Sequence, residues 1–393
     1  MFQLFKSNEE EVSAVFDIGN GSIGGALVRF KKNGIPTILF SKREPLTFMP
    51  SADSEKLIDY TVKLIKSLAA DIAKNGKIDN NRIYCVFAAP WFVAQTKVIK
   101  DSQLKPCTVT KNSIDTIVKK EQDQFNELVK SGKYADILGS DSIIMEKKIL
   151  KTKLNGYEVD DPIGKKAKEL ELTVFSSYIS KGILEQIDVA VRSSLVAKSI
   201  EHVSYAMASW GGCRAVFPEV FDHFFIDVSG ENTDVSLVLK DVLVENASFP
   251  IGRSSLLRAI VKDLNITPDV ALSYLKMSLE KTLDNKSTDE MQKIFSAFTA
   301  EWRNGFFAVL SEFQKNYTLP SSIFLTVDQD CSGFFVDSLR ASTPIEMNVP
   351  QNSFSVHYMN ADVFKRFLGI APGKPLDPFL AIESVFLENN VLY

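Results

Sequence analysis

The sequence has 393 residues and a formal net charge of -4, and its length predicts two or more domains because single hydrophobic cores rarely grow that large. Its hydrophobic fraction of 45% and charged fraction of 24% are those of a soluble globular protein. The acidic balance and the lack of a basic stripe argue against nucleic acid as a partner.

The sequence carries no signal for membrane insertion, export or a disulfide framework. Its longest apolar run, CVFAAPWFVA, is about half as long as a membrane helix requires, and the N-terminal MFQLFKSNEEEV is too short and too acidic for a signal peptide. The cysteines lie far apart and form no C-x-x-C pair, which favours a reducing cytoplasm. They are Cys85, Cys107, Cys213 and Cys331.

The first predicted element is a β-hairpin in VFDIGNGSIGGALV, residues 15–28. A buried strand ends at Asp17, a glycine-rich turn follows, and an apolar strand resumes. Glycines let the N–H groups of a turn converge on an anion, and an acid beside that anion is favourable only with a metal ion or water between them. An ordinary hairpin whose turn holds Asp and Ser is the alternative interpretation.

A second hairpin of the same kind is predicted in FFIDVSGENTDVSLVLKD, residues 224–241. It again has an apolar strand, an acid at Asp227 and a polar turn with Gly230. Two such hairpins about two hundred residues apart indicate a duplicated domain. If the turns face each other across a cleft, they could hold a triphosphate, and Asp17 and Asp227 could hold Mg²⁺ through water.

Between and after the hairpins, helices alternate with strands. A strand pair is predicted in NRIYCVFAAPWFVAQTKVIKD, a helix in VTKNSIDTIVKKEQDQFNELVKSG and another in GILEQIDVAVRSSL. Beyond the second hairpin come a helical stretch in GRSSLLRAIVKDLNITPDVALSYLK, a long helix in DEMQKIFSAFTAEWRNGFFAVLSEFQKNY, the strand IFLTV and the helix FFVDSL.

This order of motifs resembles the actin-like ATPase superfamily. The first hairpin matches its first phosphate motif at Asp17, Gly19 and Ser22, and the second matches its second phosphate motif at Asp227, Gly230, Thr233 and Asp234. The segment with NGYEVDDPIG before LELTVF, the start MFQLFK and the end DPFLAIESVFLEN are similar to the FtsA and PilM family, more to its PilM branch. The resemblance implies an α/β, two-domain actin-like (ribonuclease H-like) fold with a small inserted SHS2-like subdomain in the first domain.

The resemblance also implies a division of the chain. We expect a first actin-like domain over 1–84 plus 195–220, interrupted by the inserted SHS2-like subdomain over 85–194. The second actin-like domain is expected over 221–393, with a helical lobe at about 252–318.

The same resemblance implies a nucleotide site, with ATP and Mg²⁺ as candidate ligands. Asp17 and Asp227 would hold the metal through water. The expected nucleotide-binding residues are Asp17, Gly19, Asn20, Gly21, Ser22, Asp227, Gly230, Thr233, Asp234, Gly252 and Lys276.

Departures from the family pattern weaken the expected nucleotide site. Ser229 and Glu231 stand where glycines are common, and a charged Glu231 would crowd and repel phosphates. At the adenosine end, the family's glycines are replaced by the segment Val327-Asp328-Gln329.

No catalytic residue can be assigned, since the nearest candidates for orienting an attacking water are Glu201 and Ser204. We therefore expect weak or lost ATP binding and at most a slow ATPase.

The expected function is that of a PilM-like scaffold. Such a protein binds a short cytoplasmic peptide of a bitopic inner-membrane protein in a type IV pilus or secretion-type assembly platform. It would lie in the cytoplasm, peripheral to the inner membrane through this partner, and self-association stays open. The alternatives are an FtsA-like cell-division protein, which the non-basic end VFLENNVLY disfavours, and an active ATPase or kinase.

Trp91 has two interpretations. It is either an aromatic anchor for the partner peptide or a core residue.

Overall fold

The structure is a computed structural model that describes residues 10–32, 34–51, 53–79, 82–132, 134–139, 141–342, 353–371 and 376–390. Its strands form three sheets. The strands are β1 (Glu10–Ile18), β2 (Ser22–Lys31), β3 (Thr37–Pro45), β4 (Arg82–Phe87), β5 (Phe92–Thr108), β6 (Ser142–Leu154), β7 (Tyr157–Glu158), β8 (Lys166–Ser180), β9 (Ser199–Ser204), β10 (His223–Val228), β11 (Thr233–Leu239), β12 (Val242–Phe249), β13 (Ser322–Val327), β14 (Ser355–Tyr358) and β15 (Gly369–Ile370).

The helices alternate with these strands along the chain. They are α1 (Ser54–Asn75), α2 (Lys111–Lys130), α3 (Ala135–Leu138), α4 (Lys181–Arg192), α5 (Tyr205–Val216), α6 (Arg253–Leu264), α7 (Pro268–Leu279), α8 (Asn285–Gln314), α9 (Ser332–Arg340), α10 (Ala361–Phe364) and α11 (Pro378–Asn390). Among the described residues, no helix combines the length and the apolar character needed to cross a lipid bilayer.

Two of the sheets repeat one topology. The order β3-β2-β1-β4-β9 in the first sheet corresponds to β12-β11-β10-β13-β14 in the second. In each, the first two pairings are antiparallel and the last two are parallel. The structure therefore contains a duplicated unit, and the turns after β1 and β10 occupy equivalent edges of the two sheets.

The first domain is built on the six-stranded sheet, and its hydrophobic core extends to residues of the second sheet. Helix α1 begins at Ser54 because Asp53 accepts a hydrogen bond from the Lys56 N–H, and it buries one apolar face on the sheet. Helix α5 is buried on almost every side, and the same core includes Phe225 and Phe324 of the second sheet. The two domains thus share a hydrophobic interface around α5.

The second domain carries a helical lobe formed by α6, α7 and α8. Its core centres on the fully buried Trp302 of α8, which packs against Phe249 and Phe306. The indole N–H of Trp302 donates to Thr233 Oγ1 at 2.9 Å. The lobe therefore fixes the start of β11, directly after the second hairpin turn.

The inserted subdomain is a four-stranded sheet, β5-β8-β6-β7, with α2 packed on one face. It contacts both domains. Glu146 of β6 accepts hydrogen bonds from the N–H and the hydroxyl of Ser204, and Thr96 of β5 donates to the carbonyl of Leu243 at 2.8 Å.

The structure differs from the expected division of the chain at three places. Cys85–Phe87 complete β4 of the first sheet, and α4 packs in the core of the first domain, so both lie outside the inserted sheet. At the end of the chain, β15 pairs with β3 and α11 packs in the first core. The expected range 221–393 therefore includes a segment that returns to the first domain, because the apolar residues of α11 are buried against α5, β1 and β2.

Candidate functional site

The turns after β1 and β10 are in direct backbone contact. A Cβ placed on Gly230 would lie 2.5 Å from the Cα of Gly21, and one placed on Gly21 would lie 2.8 Å from the Cα of Gly230. Only glycine permits this approach. The glycines that predict a phosphate cradle therefore serve to bring the two hairpins together.

Asn20 joins the two turns by hydrogen bonds. Its Oδ1 accepts from the Glu231 N–H at 2.7 Å, and its Nδ2 donates to the Ala89 carbonyl at 2.5 Å and to Asn232 Oδ1 at 3.3 Å. The side chain is 2% exposed. The amide is thus satisfied at both ends inside the domain interface.

The amides at the start of α6 are also occupied. A helix N-terminus is a ready anion site because its first N–H groups have no partner within the helix. Here the N–H groups of Arg253 and Ser254 donate to the carbonyls of Ser229 and Gly230 in the second turn, at 2.9 and 2.7 Å. Gly252 permits this contact, since a Cβ there would lie 2.5 Å from each of those two carbonyl oxygens.

The cavity that remains between the two acids is very small. Its volume is about 20 Å³, which is room for roughly one water molecule. Its lining comes from both hairpins, from Tyr205 of α5 and from Phe379 of α11. The lining residues are Asp17, Gly19, Gly21, Ser22, Arg43, Ala88, Tyr205, Asp227, Val228, Ser229, Gly230, Asp328 and Phe379.

Arg43 of β3 supplies a cation at Asp17. Its Nη2 donates to Asp17 Oδ2 at 2.6 Å, its Nη1 donates to Ser22 Oγ at 2.9 Å, and its Nε donates to Asp377 Oδ2 at 2.5 Å. The guanidinium carbon also lies 4.7 Å from the ring centre of Phe379. Arg43 is thus held from several sides, and the carboxylate of Asp17 is neutralised by the chain itself.

Arg43 is one cation beside three carboxyl groups. Asp17, Asp377 and Glu383 all act on it or on one another. Glu383 is fully buried in α11, and burial raises its pKa well above the ordinary range, with Asp17 adding to the shift. Glu383 is therefore the group that keeps its proton, which leaves Arg43 to pair with Asp17 and Asp377.

Asp227, on the other side of the cavity, is an acid without a cation. Thr326 Oγ1 donates to its Oδ1 at 2.8 Å and Ser229 Oγ donates to its Oδ2 at 3.1 Å. Burial raises the pKa of Asp227 to about 8. Asp227 is therefore largely a neutral acid at pH 7 in this arrangement, in which no cation of the described residues lies beside it.

The adenosine end carries ion pairs and borders an open cavity of about 530 Å³, whose lining includes Val327, Asp328 and Gln329. Arg253 of α6 bonds to Asp330 through both Nε and Nη2 and lies 3.5 Å from Asp328. Val327 is buried at the end of β13.

Glu231 turns away from the cavity and forms a bidentate pair with Arg258, at 2.9 and 2.7 Å. The expectation that Glu231 crowds a phosphate is therefore wrong, because its charge is paired within the second domain.

The structure brings six of the expected residues to the cavity and leaves others away from it. Thr233 donates to the Ile251 carbonyl, and Asp234 accepts from Asn246. Lys276 is exposed on α7 and pairs with Glu280. The six that line the cavity are Asp17, Gly19, Gly21, Ser22, Asp227 and Gly230.

Neither expected water-orienting residue reaches the cavity. Ser204 caps α5 by accepting from the Met207 N–H, and Glu201 is exposed on β9. Trp91 is 4% exposed in the first core, and its indole N–H donates to the Gly19 carbonyl at 3.3 Å. Of its two interpretations, the structure supports the core residue.

Sequence reasoning missed Arg43, Asp377 and Glu383. Arg43 lies between Lys42 and Glu44, where nothing distinguishes it from a solvated charge. The other two carried a readable signal. Asp377 precedes Pro378 and an apolar run, the pattern of a helix N-cap, and Glu383 is a lone charge within FLAIESVFL.

A triphosphate does not fit between the two turns as they stand. The turns touch each other at Gly21 and Gly230, and the first acid pairs with Arg43. Within the described part of the chain, no group of three metal-binding side chains is positioned to hold an ion.

Solved structures resemble this chain to different degrees. A chain of the PilM-PilN type IV pilus biogenesis complex matches with a TM-score of 0.60 at 12% identity, over 95% of this chain and 97% of that one. Ethanolamine utilization protein EutJ from Carboxydothermus hydrogenoformans matches at 0.42, with 13% identity over 96% and 89%. A Bacteroides thetaiotaomicron protein of unknown function with an actin-like ATPase fold matches at 0.41, with 10% identity over 98% and 99%.

No family model and no curated protein matches the chain. At 12% identity the first match shows the fold alone. Together with the duplicated sheets, it defines a two-domain actin-like fold of the PilM kind.

Proposed function

We propose that the chain is a PilM-like scaffold that acts by binding a protein partner and has weak or no affinity for ATP. The observation that carries this proposal is the contact between Gly21 and Gly230, which brings together the two turns that would have to flank a triphosphate. The ion pair between Arg43 and Asp17 supports the proposal, because a metal ion bound directly to Asp17 would have to displace this guanidinium.

The partner class is proposed by analogy of fold. A structure that matches with a TM-score of 0.60 over almost the whole length is part of a PilM-PilN type IV pilus biogenesis complex. By analogy, the partner is a short cytoplasmic peptide of a bitopic inner-membrane protein in a type IV pilus or secretion-type assembly platform. The chain would then work in the cytoplasm, peripheral to the inner membrane through that partner.

Two titrations test the proposal. Calorimetric titration of the purified protein with Mg-ATP is expected to give no saturable binding below millimolar concentrations. Titration with peptides from the cytoplasmic head of a single-span membrane protein encoded beside this chain is expected to give saturable binding with or without Mg-ATP.

The enzyme alternative makes the opposite prediction. A working ATPase or kinase of this fold would bind Mg-ATP, release phosphate and lose that activity in Asp17→Asn. Binding of the partner peptide only in the presence of Mg-ATP would equally contradict the proposal.

A further inference from the structure

We propose that the chain carries an internal replacement for a bound metal–phosphate group, in which Asn20 joins the two domains without a ligand and Arg43 holds the turn that carries Asn20. This inference rests on the nucleotide independence in the proposed function and adds the device that makes closure independent of nucleotide.

Asn20 takes the part of a phosphate oxygen. In an anion-binding turn, backbone N–H groups point at a phosphate. Here the N–H of Glu231, in the second turn, points at Asn20 Oδ1 at 2.7 Å. The acceptor belongs to the first turn, so one hydrogen bond joins the two hairpins directly, as a shared phosphate would.

Arg43 takes the part of the metal ion. It places a positive charge 2.6 Å from Asp17 and also binds Ser22, on the two sides of Asn20 in the first turn. Asp377 holds the same guanidinium from the start of α11. Because the side chain of Arg43 is only 19% exposed, this cation is a fixed part of the turn rather than a mobile surface charge.

The two parts act on the same turn. Arg43 fixes the ends of the first turn, and Asn20 projects from its middle into the second domain. The glycine contact then brings the backbones of the two turns together at Gly21 and Gly230. The alternative is that the shared core around α5 alone holds the domains together, with Phe225 and Phe324 packed against it.

Pulsed dipolar spectroscopy between spin labels distinguishes these explanations. Labels at Lys74→Cys in α1 and Lys276→Cys in α7 report on the two domains, since both side chains are well exposed. Cys107→Ser removes the exposed native thiol, and the other three cysteines are buried. The protein with native Asn20 is expected to give one narrow distance distribution that millimolar Mg-ATP does not change.

Asn20→Ala is expected to broaden that distribution towards longer distances. Hydrogen exchange at the Glu231 amide should also accelerate at least tenfold, because its acceptor is gone. An unchanged distance distribution and unchanged exchange would overturn the proposal and leave the shared core as the cause of closure.

Gly230→Ala should separate the two turns by steric clash rather than by loss of a hydrogen bond. It therefore tests the contact between the turns even if Asn20→Ala fails to fold. Its new methyl group would meet Gly21 and the Asn20 carbonyl, whereas Gly333→Ala is a matched control with nothing within 4 Å. We expect the longer distances in Gly230→Ala and the native distance in Gly333→Ala. Native distances in both would contradict the contact.

Failure of this proposal and failure of the proposed function give different results. If Mg-ATP shortens the distance in the protein with native Asn20, closure depends on nucleotide and both proposals are wrong. If Mg-ATP has no effect and Asn20→Ala keeps the native distance, only the internal replacement is wrong.

Discussion

Arg43→Met tests the buried network most severely, because it keeps the length of the side chain and removes its charge and its donors. The guanidinium makes four hydrogen bonds, two to Asp377, one to Asp17 and one to Ser22. Removing it leaves the carboxylate of Asp17, whose side chain is 4% exposed, without a cation. The perturbation therefore breaks a buried pair on one side only.

The magnitude follows from what is left behind. Removing one partner of a buried ion pair costs about 3–5 kcal/mol of unfolding free energy, because the remaining charge stays buried. We place Arg43→Met in this range at pH 7. Lowering the pH should reduce the cost, because Asp17 can then take up a proton, and burial already raises its pKa.

The assay is urea unfolding of the wild-type protein and the variant at pH 7 and pH 5, with Arg29→Met as the control. Arg29 and Glu10 form an exposed pair at 3.8 Å, with 46% and 49% of the side chains exposed. Such pairs contribute about 0–1 kcal/mol. The double variant Arg43→Met with Asp17→Asn should recover part of the loss, since it removes the unpaired charge.

A loss below about 1 kcal/mol in Arg43→Met, no larger than in Arg29→Met, would refute the reasoning. It would mean that Arg43 contacts solvent rather than Asp17 in solution.

Three further predictions concern other buried groups. Burial raises the pKa of Asp227 from its usual 3.8 to about 8, so the contribution of Asp227 to the unfolding free energy should fall as the pH rises between these values. Asp227→Asn should be tolerated at pH 7 and should lose less stability than the wild-type protein over this range in urea titrations, and a steeper loss would contradict the prediction. Burial lowers the pKa of His223 to about 4, so the contribution of His223 should drop by about 3 kcal/mol as the pH falls from 6.5 towards 4. His223→Phe should remove this contribution, and a pH profile identical to that of the wild-type protein would argue against it. Trp91→Ala should cost about 3–5 kcal/mol in thermal or urea unfolding, whereas lost peptide binding with an unchanged melting curve would make Trp91 an anchor.

The local pattern of the sequence is enough to predict the two hairpins and their duplication. Asp17 and Asp227 each follow a buried strand and precede a glycine turn, and the structure places both at one small cavity. Such elements can be predicted because the spacing of apolar residues and the turn composition that define them extend over only a few residues. The actin-like fold was expected because the order of these motifs resembles that of the actin-like superfamily.

What the glycines contact was not predictable from local pattern. A glycine that approaches a phosphate and a glycine that approaches another backbone look alike in a sequence, and Gly21 and Gly230 are of the second kind. Arg43 was missed because its partners lie 26 and 334 positions away along the chain. Long-range ion pairs leave no periodic signal, and the return of α11 to the first domain is long-range in the same way.

A crystal structure grown with excess Mg-ATP tests the central claim most directly. We expect the two turns to remain in contact, with Asn20 Oδ1 still accepting from the Glu231 N–H and Arg43 still bound to Asp17. A nucleotide lying between the turns, with Gly21 and Gly230 separated and Arg43 displaced from Asp17 by a metal ion, would contradict the account.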